Sequence, residues 1–354
     1  MQARTNVPLA PLTTLQLGGA ASRLIEVERE EEIVDAVNDA DAKSEPLFVL
    51  GRGSNIVVAD EGIAGLVVHM ATRGVEIHKE KGDALADVAA GEDWDDFVAR
   101  AVTEGWSGLE CMSGIPGLVG ATPIQNVGAY GQEVSETIAS VRVYDRATRR
   151  FVDIEARDCH FAYRTSAFKR NDRFVVTRVR FVLRPGGESQ VRYAELARAL
   201  SVPLGTRAPL RIVREAVVGL RRAKGMVLSA DDAESVSVGS FFVNPIVDSA
   251  ALAEITARAG TAPPHFDTDD GRHKVAAAWL VERAGFVKGW GEGRVGVSGK
   301  HALALVNRGG ATARELLMVA RAVRDGVRTR FGVILEPEPV LVGCSWEEQN
   351  LKSK

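Results

Sequence analysis

Apolar and polar residues follow two different periods along the first half of this chain. A helical stripe runs through residues 30–42, where the apolar positions are Ile33, Val34, Val37 and Ala40. Short apolar or alternating segments predict strands at 46–50, 63–70, 84–91, 140–145 and 173–183. The first half therefore mixes helices and strands.

Capping residues mark several helix boundaries along the chain. Asp93 is placed to cap a helix that follows it, and Thr312 and Glu315 form a capping-box pair at the start of a long apolar stripe. Further helices are predicted within 191–200, 209–220 and 275–285. Glycine and polar residues cluster at 224–240, which favours a domain boundary near residue 225.

Overall composition excludes several classes of protein. The chain has 354 residues, 45% of them hydrophobic, and a formal net charge of −3, which argues against a nucleic-acid binder. It has neither a run of about 18 apolar residues nor a signal-peptide core near the N-terminus, so no membrane insertion is expected. Three distant cysteines, at 111, 159 and 344, are typical of a reducing compartment. We expect a cytoplasmic protein.

The six histidines have no linear spacing typical of a metal site. They stand at positions 69, 78, 160, 265, 273 and 301, and none forms an HExxH motif. The sequence therefore predicts no dedicated metal site.

Two glycine-rich segments are candidates for binding an anionic or ring-shaped ligand. Residues 111–133 read CMSGIPGLVGATPIQNVGAYGQE and hold five glycines without a Lys or Arg, and LGRGSN at 50–55 follows a predicted strand. Glycine allows close backbone approach and can free amide groups to face phosphate. LGRGSN lacks the third glycine of the dinucleotide fingerprint, and the chain has no Walker A loop. A plain turn at 50–55 and an Ω-loop packed on itself at 111–133 remain alternatives.

These segments, with four others, closely resemble the UDP-N-acetylenolpyruvoylglucosamine reductase family. The other segments are YRTSAFK (163–169), GSFFVNP (239–245), AAWLVERAGFVKG (277–289) and LEPEP (335–339), in the family's order over nearly the whole chain. The resemblance implies an α+β fold with a two-subdomain FAD-binding part and a separate α+β substrate-binding domain. It divides the chain into 1–72 with 341–354 returning to it, 73–225, and 226–340.

The resemblance also implies a reaction and its cofactors. NADPH would reduce a non-covalent FAD, and the enolpyruvyl group of a UDP-sugar would then receive the hydride in a step of peptidoglycan synthesis. The residues that the resemblance assigns to FAD are Gly51, Arg52, Gly53, Ser54, Asn55, Ser113, Gly114, Ile115, Gly120, Thr122 and Tyr163.

Three residues match the family's catalytic positions. Arg164 would hold the substrate carboxylate, Ser240 would give a proton to C2, and Glu338 would help to organise the developing oxyanion. Without the resemblance, Arg164 would be a surface strand residue, Ser240 a helix cap or turn residue, and Glu338 a solvated loop carboxylate.

Substrate contacts are implied for Tyr193, on a loop that covers the substrate, for Lys224, and for Asn244 at the diphosphate. Lys224 could equally neutralise a helix C-terminus. The chain departs from the family pattern at Arg52, where glycine is common, at Pro339, and at Lys300 and His301, where glutamine is common.

Two other functions are compatible with parts of this sequence. An FAD-dependent oxidase of a small alcohol or hydroxy acid would use the same FAD-binding fold, but many such enzymes tether the flavin through a histidine where this chain has Ser54. A non-catalytic module that binds a nucleotide sugar would leave the combination of Arg164, Ser240 and Glu338 unexplained. The sequence leaves the oligomeric state open and favours a monomer.

Overall fold

A computed structural model describes residues 2–347 of the chain. Its contacts divide the described residues into two compact units, the first formed by residues 2–7, 21–52 and 64–223, the second by 8–20, 53–63 and 224–347. The division into 1–72, 73–225 and 226–340 stays a prediction. Residues 1 and 348–354 of the predicted first segment lie outside the described residues.

The described residues form seven α-helices and 21 strands. The helices are α1 (Glu30–Ala42), α2 (Trp94–Thr103), α3 (Ala194–Leu200), α4 (Leu210–Ala223), α5 (Ser249–Ala259), α6 (Ala277–Arg283) and α7 (Ala313–Phe331). The first strands are β1 (Arg4–Pro8), β2 (Ala20–Val27), β3 (Leu47–Leu50), β4 (Ile56–Val58), β5 (Ile63–Met70), β6 (Val75–Glu80), β7 (Asp83–Ala89), β8 (Trp106–Ser107), β9 (Gly128–Ala129), β10 (Gln132–Glu133) and β11 (Ile138–Asp145). The remaining strands are β12 (Arg150–Glu155), β13 (Phe174–Pro185), β14 (Glu188–Gln190), β15 (Arg207–Pro209), β16 (Ile246–Val247), β17 (His265–Asp267), β18 (His273–Val275), β19 (Val295–Val297), β20 (Leu305–Asn307) and β21 (Val340–Val342).

Two sheets organise the first unit. One has the strand order β1-β2-β5-β3, and the other has β12-β11-β13-β7-β6, with β8 paired to β13. The predicted stripe of α1 is buried at Ile33, Val37 and Ala40, in one apolar cluster with residues of β5 and β7. Helix α2 joins the same cluster through Trp94 and Phe97, whose rings lie 6.1 and 5.3 Å from that of Phe181.

The polar cap of α2 has the predicted form. The Asp93 carboxylate accepts hydrogen bonds from the backbone N–H groups of Asp95 and Asp96 at 3.0 and 3.1 Å, which satisfies two donors that the first turn leaves open. This cap fixes where α2 begins, and with it the position of Asp95 in the first turn.

Long helix α7 organises the second unit. Its buried side includes Leu316, Ala320, Val323 and Val327 and packs in one cluster with residues of α5, α6, β19 and β20. The predicted capping box is confirmed, because Thr312 and Glu315 each bond to the backbone N–H of the other.

Short strands complete the second unit. They pair as β16-β18-β17, as the hairpin β19-β20 and as the parallel pair β21-β4. None of the helices in the described part of the chain is long and apolar enough to cross a membrane.

Candidate active site

The glycine-rich segment, residues 111–133, folds as successive tight turns in the first unit. Gly114 and Gly117 have φ angles of +71° and +145°, which L side chains rarely adopt. Gly120 is needed for a different reason, because a Cβ there would lie 2.5 Å from the Cβ of Ala90. Its N–H donates to the Ala90 carbonyl at 2.9 Å, so this glycine allows two backbones to meet closely.

Two predicted cofactor residues of this segment are buried and bonded within it. Ser113 donates its hydroxyl proton to the Glu110 carbonyl at 2.6 Å, and Thr122 donates to the Val119 carbonyl at 2.8 Å. Both side chains are at most 3% exposed. Their hydroxyls stabilise the turns, and their contact with a cofactor stays a prediction.

An ion pair that sequence reasoning missed supports the start of the segment. Asp95, on α2, accepts the Gly114 N–H at 2.6 Å and two bonds from Arg214 on α4, at 2.6 and 2.9 Å. Burial acts to raise the pKa of Asp95, but the bonds from Arg214 and Gly114 outweigh it and leave that pKa below its ordinary value. A carboxylate in the first turn of a helix is common, so no sequence signal distinguished Asp95.

Predicted catalytic Arg164 lies at the tip of a tight turn. Ala162 and Thr165 exchange backbone hydrogen bonds at 3.1 Å, and Arg164 has a φ of +54° between them. Its guanidinium donates to the Gly128 carbonyl at 2.7 Å and the Asn126 carbonyl at 3.4 Å, and it lies 5.3 Å from the ring centre of Tyr163. The structure thus joins Arg164 and Tyr163 to the glycine-rich segment.

Asn126 is a second residue that sequence reasoning missed. It is 1% exposed with φ of +46°, and its amide donates to Glu133 at 2.8 Å and to the Ala162 carbonyl at 3.2 Å. Its Oδ1 accepts the Ser135 N–H at 3.1 Å. These bonds tie the Arg164 turn to the glycine-rich segment, and an asparagine beside glycines was the available signal.

Tyr193 packs against the same segment. It stands just before α3, and its ring meets that of Tyr130 edge-on at 5.6 Å between centres. Burial raises the pKa of Tyr130 to about 12 and lowers the pKa of Arg221, on α4, to about 10. A buried cation therefore lies within electrostatic range of this aromatic pair.

The second candidate loop, 50–55, begins in the first unit. Arg52 forms an ion pair with Asp93, the cap of α2. This pairing gives a structural role to the residue that departs from the family's glycine. A cleft of about 750 Å³ opens beside it, lined by Arg52 and Leu118 among others. A Cβ on Gly51 would lie 3.4 Å from the Leu118 side chain, so loop 50–52 packs on the glycine-rich segment.

The rest of that loop belongs to the second unit. Gly53 has φ of +59°, and a Cβ there would lie 2.5 Å from the Leu12 carbonyl oxygen. Ser54 and Asn55 form the turn into β4, and the Asn55 amide donates to the Glu338 carbonyl at 3.4 Å. The Val340 N–H donates in turn to the Asn55 carbonyl at 3.0 Å.

Ser240 and Glu338 are brought together by three extended segments. Phe241 donates its N–H to the Leu303 carbonyl at 2.8 Å and accepts the Glu338 N–H at 2.8 Å. Single bridges pair Ser240 with Ala304 and Phe242 with Pro337. Phe241 and Phe242 are at most 2% exposed, whereas Ser240 and Glu338 are half-buried. Backbone pairing therefore places Ser240 and Glu338 next to a buried aromatic pair, Phe241 and Phe242.

The two predicted substrate residues of this unit, Asn244 and Lys224, differ in what the structure shows around them. Asn244 accepts the Ala277 N–H at 2.9 Å and so caps α6, while Lys224 lies half-buried just after α4. Lys300 pairs with Asp232 at 2.8 Å, and His301 accepts the Leu303 N–H at 3.1 Å. At the family's glutamine position, Lys300 thus ties its loop to the segment of Asp232, and His301 stabilises its own loop.

The predicted catalytic residues are divided between the units. Arg164 belongs to the first, together with the predicted substrate residue Tyr193, and Ser240 and Glu338 belong to the second.

Comparison with known proteins identifies the family. Residues 21–154 match the model of an FAD binding domain, and residues 231–342 match UDP-N-acetylenolpyruvoylglucosamine reductase, C-terminal domain. The chain is 52% identical to the UDP-N-acetylenolpyruvoylglucosamine reductase of Thermobifida fusca, over 96% of this chain and 98% of that one. It is 53% identical to that of Saccharopolyspora erythraea, over 95% of each chain.

A solved structure agrees with these relatives. The crystal structure of UDP-N-acetylenolpyruvylglucosamine reductase from Thermus caldophilus matches with a TM-score of 0.64 and 26% identity, over 96% of this chain and 98% of that one. The resemblance and the predicted α+β fold are thereby confirmed, and the oxidase alternative is the weaker one. The chain belongs to the UDP-N-acetylenolpyruvoylglucosamine reductase family and is an FAD-binding oxidoreductase.

Proposed function

We propose that this enzyme uses NADPH and FAD to reduce the enolpyruvyl group of UDP-N-acetylglucosamine enolpyruvate, giving UDP-N-acetylmuramate. This is a step of cytoplasmic peptidoglycan precursor synthesis, which serves cell shape and division. The observation that carries the proposal is the identity of about half of all residues with reductases of that name over 96% of the chain.

Several features of the first unit fit FAD. Arg52 of loop 50–52 and Leu118 of the glycine-rich segment line the same cleft, whose walls hold three arginines, three carboxylates and the apolar side chains of Met70 and Leu118. Because each of these arginines is paired with an acidic residue, the feature that fits FAD best is the close backbone approach that the glycines allow. The residues that we assign to it are Gly51, Arg52, Gly53, Ser54, Asn55, Ser113, Gly114, Ile115, Gly120, Thr122 and Tyr163.

When bound, FAD supplies the hydride chemistry, namely reduction by NADPH and delivery of hydride to C3 of the enolpyruvyl group. The protein must then stabilise the negative charge that develops at C2 and its carboxylate, and must provide a proton.

Arg164 is assigned to the carboxylate. A guanidinium offers parallel N–H donors that match the two carboxylate oxygens. Its bonds to the Gly128 and Asn126 carbonyls, at 2.7 and 3.4 Å, hold the group in one orientation before substrate arrives. Pre-orientation of this kind lowers the entropy lost on binding.

Ser240 is assigned as the acid. Its hydroxyl gives a proton to C2, and solvent restores that proton afterwards. A serine hydroxyl is a weak acid, so the alkoxide that remains needs polar neighbours. Glu338, whose backbone N–H donates to the carbonyl of the residue after Ser240 at 2.8 Å, is assigned to the developing oxyanion of the substrate, to which its carboxyl group in the acid form would donate a hydrogen bond.

Three residues are assigned to the rest of the substrate. Tyr193 covers the sugar from the start of α3, where its ring packs on Tyr130 at 5.6 Å. Asn244 donates its amide protons to the diphosphate, while its Oδ1 accepts from Ala277. Lys224 supplies a cation for the same group.

Absorption spectroscopy tests the proposal in one cuvette. We expect a yellow protein that loses its visible absorbance when NADPH is added without oxygen, and regains it when the enolpyruvyl UDP-sugar follows. UDP-N-acetylglucosamine, which lacks the double bond, serves as the control and should restore nothing. Recovery with oxygen alone would favour the oxidase, and a colourless protein that takes up no FAD would overturn the proposal.

A further inference from the structure

One face of the β17-β18 hairpin gathers two histidines and an aspartate. Side chains alternate along a strand, so His265 and Asp267 of β17 share a face. The antiparallel register places His273 of β18 directly opposite Asp267. The three residues are eight positions or fewer apart in sequence but follow no familiar metal motif, so only the strand register reveals the cluster.

Their ligand atoms are close enough to share one ion. The atoms that the three side chains offer lie within 4.8 Å of one another. Asp267 Oδ1 is 2.7 Å from His273 Nδ1 and 4.0 Å from His265 Nε2. Tetrahedral zinc, with bonds of about 2.0–2.1 Å, requires ligand atoms roughly 3.3 Å apart. Small side-chain rotations therefore suffice to form the site.

Hydrogen bonds already direct the histidine nitrogens. His265 Nδ1 lies 2.9 Å from the Pro263 carbonyl, which can only accept, so Nδ1 carries the proton and Nε2 presents its lone pair. His273 Nε2 lies 3.0 Å from Ser249 Oγ, which can accept a hydrogen bond from the Nε2–H group when Nδ1 binds a metal. Such outer partners are what metal-bound histidines commonly have.

Nearby cations are turned away from this face. Lys274 neighbours His273 in sequence but lies on the other face, where its ammonium is 5.8 Å from the ring centre of Phe266. Arg272 is paired to Asp270 at 2.6 Å. The pair neutralises Arg272, so the Asp267 carboxylate dominates the local charge.

We propose that His265, Asp267 and His273 form a site for a divalent transition metal, best suited to Zn²⁺, with Ser249 as the hydrogen-bond partner of His273. Zinc would displace the proton between His273 and Asp267, and water would complete its coordination. The bound ion would link β17 to β18 and, through Ser249, to the first residue of α5. This proposal differs from the expectation from linear spacing, which found no metal site among the histidines.

Zinc binding to the FAD-loaded protein, purified without a polyhistidine tag, tests the site. Competition with a chromophoric chelator should give one Zn²⁺ per chain. His273→Ala and Asp267→Asn should each weaken binding by about tenfold or more, and Ser249→Ala by about tenfold, as for other outer partners. His78→Ala, which removes an exposed histidine on β6, is the matched control and should change nothing.

Cobalt substitution identifies the ligand type. Co²⁺ in this site should show d–d absorption bands. The intense charge-transfer band of thiolate coordination should be absent, and its absence would exclude a cysteine ligand. The conservative Asp267→Asn variant keeps the test valid if a histidine variant fails to fold. Absence of saturable zinc binding, equal affinity of wild type and His273→Ala, or a thiolate band would overturn the proposal.

Discussion

Arg164 and Ser240 are oriented by two different kinds of structure. Arg164 projects from a tight turn that Ala162 and Thr165 close, and side-chain bonds from Asn126 and from its own guanidinium fix this turn to the glycine-rich segment. Ser240 lies on an extended segment held by backbone pairs on both sides and by two buried phenylalanines. The comparison teaches that single polar side chains decide the geometry of the first region, whereas packing and register decide that of the second.

The largest expected effect is on chemistry at Ser240. Ser240→Ala should lower turnover by about 10²- to 10⁴-fold, the usual contribution of a general acid, and leave reduction by NADPH intact. Stopped-flow absorbance separates the two half-reactions. Ser237→Ala is the control, because that serine is in the same segment and its hydroxyl accepts the Gly239 N–H. Equal loss of both half-reactions in Ser240→Ala would contradict its role as acid.

Among the substitutions considered, loss of the buried Phe242 side chain should lower the free energy of unfolding most. Phe242→Ala removes a side chain that is 2% exposed and lies 5.1 Å from Phe241 and 6.2 Å from Trp346 between ring centres. We expect the free energy of unfolding to fall by about 3–5 kcal/mol. Urea denaturation measures it, and Phe266→Ala, at a residue 57% exposed, should have little effect. Similar losses in both variants would show that packing does not distinguish this segment.

Substitution of Asn126 should lower the free energy of unfolding by a smaller amount. It should also weaken substrate binding through Arg164. Asn126→Ala loses three side-chain hydrogen bonds and keeps a left-handed backbone, which together should cost about 2–3 kcal/mol. Asn126→Gly loses the same bonds without the backbone strain and should be about 1 kcal/mol more stable than the alanine variant. Both should raise the KM for the enolpyruvyl sugar, since the backbone carbonyls that accept from Arg164 remain but lose the side-chain bonds that hold them in place. An unchanged KM in both would remove Asn126 from the support of Arg164.

The smallest effect is expected at an ion pair that lies apart from the predicted site residues and depends on pH. Asp145, on β11, accepts two bonds from Arg173 at 2.6 and 2.8 Å, and these bonds hold its pKa well below the ordinary value. A carboxylate whose pKa is lower in the folded protein than in the unfolded chain raises the free energy of unfolding at pH values above the unfolded pKa, which is about 3.9. This contribution is lost as the pH falls from there through the pKa of the folded protein. Asp145→Asn should therefore be less stable at neutral pH, with a difference that shrinks below about pH 4.

Thermal unfolding across that pH range measures the difference. Asp153→Asn is the control, because Asp153 meets Arg142 only at 3.5 Å and its side chain is 57% exposed. A constant difference between Asp145→Asn and wild type down to acidic pH would exclude the ion pair as its cause.

Much of the secondary structure could be predicted because its causes are local. The stripe of α1, the Asp93 cap and the Thr312–Glu315 box each depend on residues within one or two turns. The chemistry of Arg164, Ser240 and Glu338 came from long family motifs, and their individual roles stay predictions.

The remaining features depend on contacts between distant residues. Asp95 meets Arg214 across more than a hundred positions, and the His265–Asp267–His273 cluster depends on strand register. No local pattern reports such pairings, because any aspartate in a first helical turn and any histidine in a hairpin looks ordinary.

The second unit takes its described residues from three separate parts of the chain, 8–20, 53–63 and 224–347. Strand β4 has its parallel partner in β21, where Val340 pairs with Ile56. Formation of this pair closes a loop of more than 280 residues, and such long-range closure is slow. During translation, residues 56–58 therefore have no parallel partner until residues 340–342 have been made, so the order of synthesis delays the folding of this unit.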